Sequence, residues 1–179
     1  MNVGKISIRY AKALYEFAAS NNETQKVYEQ VMSMEKNLCA EKNYRTYISI
    51  PTLSNDQKVE ILKTYVGTTP CKSLEAFIVF LTQQNREESI RHICLSFVDY
   101  YRQREGISYC TLTSTTPLSE EETKKLKQLI SKEKESKTTI INTVIDPELI
   151  GGFKLEINNY RLDASVKHEL SEIKKSLVI

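Results

Sequence analysis

The stretch from Asp146 to Ile179, DPELIGGFKLEINNYRLDASVKHELSEIKKSLVI, leaves this chain few ways to fold. Phe153, Leu155 and Ile157 alternate with Lys154 and Glu156, the period-two pattern of a strand with one face buried. Asn158-Asn159 supplies two residues that tolerate positive φ, which suits a tight hairpin turn. Tyr160 and Leu162, alternating with Arg161, form the return strand. Asp163 or Ser165 caps a final helix, along which Val166, Leu170, Ile173 and Leu177 fall on one stripe. The pattern predicts a β-hairpin leading into an amphipathic helix, with that stripe packed on the sheet. Gly151-Gly152 predicts a bend or bulge at strand entry. A phosphate loop needs glycines ahead of a helix, and here a strand comes next with no Lys-Ser or Lys-Thr.

Upstream of this unit the character is mixed back to Gly106 and helical before it. Residues 107–113 are β-branched and aromatic and read as a strand. Ser119 and Glu122 match a capping box, and three successive glutamates suit the positive end of a helix dipole. Leu126, Leu129 and Ile130 form that helix's apolar side, and residues 138–145 read as a second strand. The order β-α-β-β-β-α implies a small α/β domain over residues 106–179. Residues 1–105 contain no convincing strand and about six helix-period runs. Ile6, Tyr10, Ala13, Leu14 and Phe17 share one face of the first, and Val27, Val31, Met34 and Leu38 line the second. A short third helix fits residues 41–48. Ser54 caps a fourth that Gly67 ends, residues 73–83 form a fifth, and residues 87–104 form a sixth. The fold class is therefore α+β, an all-α bundle followed by a small α/β domain.

Bulk properties narrow the function classes. Hydrophobic residues are 40% and charged residues 27%, ordinary for a globular protein. A net charge of +2 carries no excess of the kind that drives binding to nucleic acid or acidic membranes. No apolar window is long enough to span a bilayer, and the helical pattern beginning by about Ile6 leads us to expect no presequence. Cys39, Cys71, Cys94 and Cys110 are scattered without a CxxC spacing, which points to buried thiols in a reducing compartment such as the cytoplasm.

Catalytic constellations are missing from the sequence. His92 and His168 are the only histidines, and neither has a carboxylate at a ligand-like offset. We expect no catalytic residue, no metal site and no cofactor. Six lysines between Lys124 and Lys137 suggest RNA until the interleaved glutamates are counted with them; the balance is that of a solvated helix face.

The fifth helix carries more apolar surface than one core contact needs. Leu74, Ile78 and Leu81 form one stripe, and Ser73, Phe77, Phe80 and Gln84 form a second beside it. Such a helix is either central in the bundle or has a partner. The first helix is similarly widened by Ala11 and Ala18. Side by side, the two would form a groove suited to an amphipathic helix of another chain.

Two patches resemble one family. Val144-Ile145-Asp146-Pro147-Glu148-Leu149-Ile150-Gly151-Gly152, followed by Asp163-x-Ser165-Val166 and Leu170, is similar to the carboxy-terminal signature of the delta subunit of F-type ATP synthases, the family of the oligomycin-sensitivity-conferring protein. Arg9-Tyr10-Ala11-Lys12-Ala13-Leu14 resembles the family's opening helix. Asn158-Asn159 stands where a Gly-Asp type turn is commoner, and Ala164 where glycine is commoner. The resemblance implies a non-catalytic stator subunit, present in single copy in a hetero-oligomer at the cytoplasmic face of a bacterial cell membrane. Residues 1–105 would hold the catalytic head through the alpha subunits, with Tyr10 and Ala13 carried over from the first-helix motif. Phe17, Phe77, Phe80 and Gln84 would complete that groove. Residues 106–179 would engage the membrane-anchored b subunits, for which we single out Lys174, Lys175, Val178 and Ile179. The alternative from another class is an RNA-binding or transcription-associated helical bundle, which the near-neutral charge disfavours.

Overall fold

The computed structural model describes residues 3–41, 43–50, 52–117, 119–134, 137–157 and 160–177. The chain divides into two compact units, Met1–Tyr101 and Arg102–Ile179. Its helices in order are α1 (Val3–Ser20), α2 (Thr24–Ala40), α3 (Tyr44–Ile48), α4 (Asn55–Val66), α5 (Lys72–Gln83), α6 (Ile90–Glu105), α7 (Glu120–Lys134) and α8 (Val166–Leu177). The strands are β1 (Ile107–Ser114), β2 (Thr138–Ile145), β3 (Gly152–Ile157) and β4 (Tyr160–Ser165). The α+β architecture is the one expected, a helical bundle and then a small mixed sheet.

In the first unit, stripes at helical spacing meet in one core. Val27, Val31, Met34 and Leu38 of α2 are buried, as are Val59, Leu62 and Val66 of α4 and Ile90, Ile93, Phe97 and Tyr101 of α6. Fully burying a side chain such as Phe97 contributes about 1.5–3 kcal/mol. Tyr28 of α2 stacks on Tyr101 at 4.2 Å, and Tyr15 of α1 meets the edge of Tyr100 at 5.3 Å. Ser54 and Gln57 close a reciprocal capping box at the start of α4. Gly67 ends that helix at φ 78°, a left-handed conformation glycine adopts without steric cost. Two boundaries differ from expectation. The third helix starts only at Tyr44, because Tyr44 and Ile48 are the buried positions that hold so short a segment. The sixth is preceded by a 3-10 turn, Glu87–Ser89, in which Glu87 is buried and paired with Lys58 at 2.6 Å.

In the second unit the strand order is β2-β1-β3-β4, with β1 and β2 parallel and the other pairs antiparallel. The parallel pair requires a crossover, and α7 provides it. Ser119 and Glu122 form the expected capping box at the start of α7. Register places Cys110, Leu112, Leu155, Ile157 and Leu162 on one face. The α7 helix covers that face where β1 and β2 lie, burying Ile130 and bonding Ser131 to Thr139 at 2.8 Å. Lys154–Asp163 and Glu156–Arg161 are cross-strand ion pairs on the opposite face. Gly152, at φ 75°, is where backbone approach is closest: an added Cβ would lie 2.1 Å from the Ala164 carbonyl oxygen. The hairpin turn at Asn158-Asn159 lies outside the described residues.

One expectation fails. Val166, Leu170 and Ile173 of α8 are exposed, Leu170 by 52%, so these three positions of the stripe are not packed on the sheet. The reason lies in how the helix is attached. Ser165 runs from β4 directly into α8, its hydroxyl accepting from the His168 amide and donating to Asp163. Val166 donates to the Gly151 carbonyl at 3.1 Å. These bonds fix the first turn of α8. Leu177's side chain lies outside the described residues.

Candidate partner-binding surfaces

On α1 the core side is Ser7, Ala11, Leu14 and Ala18. Three of these are small, and the larger Tyr10 and Phe17 lie on the next stripe. There Tyr10 is half-buried, Ala13 is exposed and Phe17 is 44% exposed. On α5 the core side is Ser73, Leu74, Phe77, Ile78, Leu81 and Thr82. Phe80, 45% exposed, and Gln84, also exposed, lie beyond it. Tyr10 and Phe80 meet across the two helices, ring centroids 6.0 Å apart and tilted by 43°. Arg9 lies over the Tyr10 ring at 5.8 Å.

The structure therefore brings Tyr10 and Phe80 together and leaves Ala13, Phe17 and Gln84 open to solvent on the same two helices. Phe77 is different. At 7% exposure it belongs to the core, so an assignment of Phe77 to an open groove wall is corrected. The wheel puts it on the second stripe with Phe80, and the bundle closes over Phe77 while leaving Phe80 exposed. The fifth helix is central on one side, as the first of the two alternatives requires, and leaves Phe80 exposed on the other.

On the second unit, Lys174 is exposed on α8. The side chain of Lys175, and all of Val178 and Ile179, lie outside the described residues. The larger apolar surface here was not anticipated. Leu162 (55% exposed) and Phe153 lie on the same sheet face as Leu112 and Leu155, and both are exposed. Val166 and Leu170 add the exposed stripe of α8. The signal was present as alternation, but alternation names a face without saying what covers it.

Of the four cysteines expected to be buried, Cys94 and Cys110 are, whereas Cys71 is half-buried and Cys39, near the end of α2 and off its buried stripe, is exposed. His92 contacts Arg45 at 3.1 Å, and His168 is exposed on α8. Burial pushes the Cys94 thiol up to about 12, with Glu35 adding to it, and the Cys110 thiol up to about 11, which keeps both protonated and unreactive. Among the described residues no three His, Cys, Asp or Glu side chains are grouped to hold a metal, and no helix is long and apolar enough to cross a membrane.

Comparison with known proteins identifies the whole chain. Residues 6–177 match the family described as ATP synthase delta (OSCP) subunit. An ATP synthase subunit delta of Phocaeicola vulgatus is 31% identical over 179 residues, covering 99% of this chain and 96% of the relative. Another, from Azobacteroides pseudotrichonymphae, is 32% identical, covering 97% and 98%. In the solved mitochondrial ATP synthase hexamer of Toxoplasma gondii, one chain shares the fold with a TM-score of 0.71, at 21% identity and 97% coverage of both. With a match that spans both units and relatives similar over nearly their full length, the chain belongs to the ATP synthase delta (OSCP) subunit family.

Proposed function

We propose that the chain is a non-catalytic stator subunit that ties the catalytic head of an F-type ATP synthase to its peripheral stalk at the cytoplasmic face of a bacterial membrane. Rotor torque would turn the head idly without such a tie. In this reading residues 1–105 bind the amino-terminal helices of alpha subunits, and residues 106–179 bind the b subunits. The chain is present in one copy per complex.

The observation that carries the reading is the ring contact between half-buried Tyr10 and exposed Phe80, across α1 and α5, with exposed Phe17 on the same stripe of α1 as Tyr10. Large aromatics left in water along two adjacent helices suit an amphipathic helix laid between them. Apolar anchors of this kind slow dissociation, which torque resistance requires. For the stalk, the exposed sheet residues Phe153 and Leu162, together with Leu170 and Lys174 of α8, extend the proposed contact beyond the chain's last residues.

The test is retention of the catalytic head on membranes. In a strain carrying Phe80→Asp at normal protein levels, head ATPase should appear in the soluble fraction after a low-salt wash. Full retention on the membrane removes the groove from the joint.

A further inference from the structure

The α5 helix begins without a cap of its own. Cys71 occupies the cap position and makes no side-chain cap bond. The amide of Ser73, in the first turn, instead donates to the Glu23 carboxylate at 3.0 Å, fifty residues away in sequence. The Ser73 hydroxyl donates to the same oxygen at 2.5 Å and accepts from Asn21 Nδ2 at 2.9 Å. Ser73 is fully buried. Glu23 is itself at the cap position of α2, yet makes no side-chain cap bond there, because its carboxylate is committed to α5. Asn22, at φ 55°, turns the chain between α1 and α2, and the residues on both sides of it reach Ser73.

This network lies at one end of the α1–α5 contact. Tyr10 and Phe80 meet at the other end, so the two helices run antiparallel between two fixed points. Phe17 and Ala13 lie along the interval on α1. A carboxylate at a helix amino terminus is favoured by the dipole, and a charge-assisted hydrogen bond is about twice as strong as a neutral one. The Glu23 carboxyl is held below the usual carboxylate range, first by the Ser73 hydroxyl and then by its amide, with Lys26 and Lys72 the positive groups facing it.

We propose that Glu23 is a positioning residue for the groove: through Ser73, with Asn21, it clamps the start of α5 to the end of α1 and sets the interval between the helices before a partner arrives. The proposal rests on the reading of that groove as a partner site. A preset groove spares the partner the cost of ordering it on binding.

The full chain carrying Glu23→Ala, Glu23→Gln or Phe80→Asp is compared with Val59→Ala, a core change in α4 outside the Glu23–Ser73 network and the Tyr10–Phe80 pair. Three quantities are read: amide hydrogen exchange along the first turns of α5, the NMR contact between the Tyr10 and Phe80 rings, and affinity for a synthetic peptide of the alpha subunit's amino-terminal segment. Glu23→Ala should speed exchange near Ser73, weaken the ring contact and raise the peptide Kd by about tenfold. Glu23→Gln, which keeps an acceptor, should recover part of each. Val59→Ala should lower the melting temperature and leave the ring contact and peptide affinity unchanged. The proposal is overturned if Glu23→Ala leaves exchange and ring contact as in the parent chain. It is equally overturned if those move while a peptide released by Phe80→Asp stays bound. A peptide indifferent to Phe80→Asp overturns the groove as its site, and the positioning role with it, whatever exchange shows.

Discussion

Phe80 and Leu81 are neighbours in sequence and opposites in the bundle, one 45% exposed and one fully buried. Leu81→Asp puts a charge into the core and should unfold the first unit, whereas Phe80→Asp should leave its melting temperature within a few degrees of the parent. Thermal melts of the two variants decide this, and the reverse order would mean the stripes are interchanged. Phe77→Ala should behave as a core truncation and cost about 3–5 kcal/mol in denaturant unfolding. Lys58 and Glu87 are a second test at this scale. Glu87 is nearly buried, and one of its carboxylate oxygens has no hydrogen-bond partner. Lys58→Met leaves that carboxylate without its counter-charge and should destabilise by about 3 kcal/mol or more, measured as a shift in urea midpoint at unchanged slope. Replacing both residues by apolar ones of similar size should recover most of the loss.

The starts of α5, α7 and α8 are held by networks that include a carboxylate. Glu122 is kept below the usual carboxylate range first by its hydrogen bond from the Ser119 amide, and Asp163 first by the Ser165 hydroxyl. Glu23 is lowered by Ser73 in the same way. A depressed folded pKa means the contribution is complete above the unfolded value and is lost as pH falls through the folded one. Acid should therefore loosen the starts of α5, α7 and α8 below the ordinary carboxylate range, not at neutral pH. Amide exchange followed from pH 6 downwards should show those first turns opening before the centre of α6. Opening at all positions together would remove the carboxylates from the cause. Short helices depend on such ends because fewer than about 12–15 residues is marginal in isolation.

At the scale of the whole molecule, the chain divides into units at Tyr101 and Arg102. If residues 1–105 carry their own core, that fragment should give a helical circular dichroism spectrum and melt cooperatively, and a coil spectrum would mean the bundle needs the sheet. The stalk end is tested by separate changes. Leu170→Glu, on the exposed stripe of α8, should leave the melting temperature unchanged and reduce coupling of the head to the membrane. Deleting Val178 and Ile179 tests the tip alone. Full retention in the deletion with loss in Leu170→Glu would move the contact from the tip to the stripe and sheet.

Periodicity, caps and glycines were enough to determine the elements and the fold class, because they are written in residues close together in the chain. Ser54 with Gln57, Ser119 with Glu122, and the alternation from Phe153 to Leu162 are local patterns with local consequences. The family was legible too, since its two signatures are contiguous. What covers each apolar stripe was not legible. The wheel placed Phe77 and Phe80 on one stripe of α5, yet the bundle closes over the first and leaves the second beside Tyr10. The α8 stripe reads as a sheet-packing one, but Val166, Leu170 and Ile173 are exposed on a helix that continues from its strand without a loop. Nor could any local pattern pair Glu23 with Ser73. Burial and long-range hydrogen bonds depend on which segments meet, and only the tertiary structure decides that.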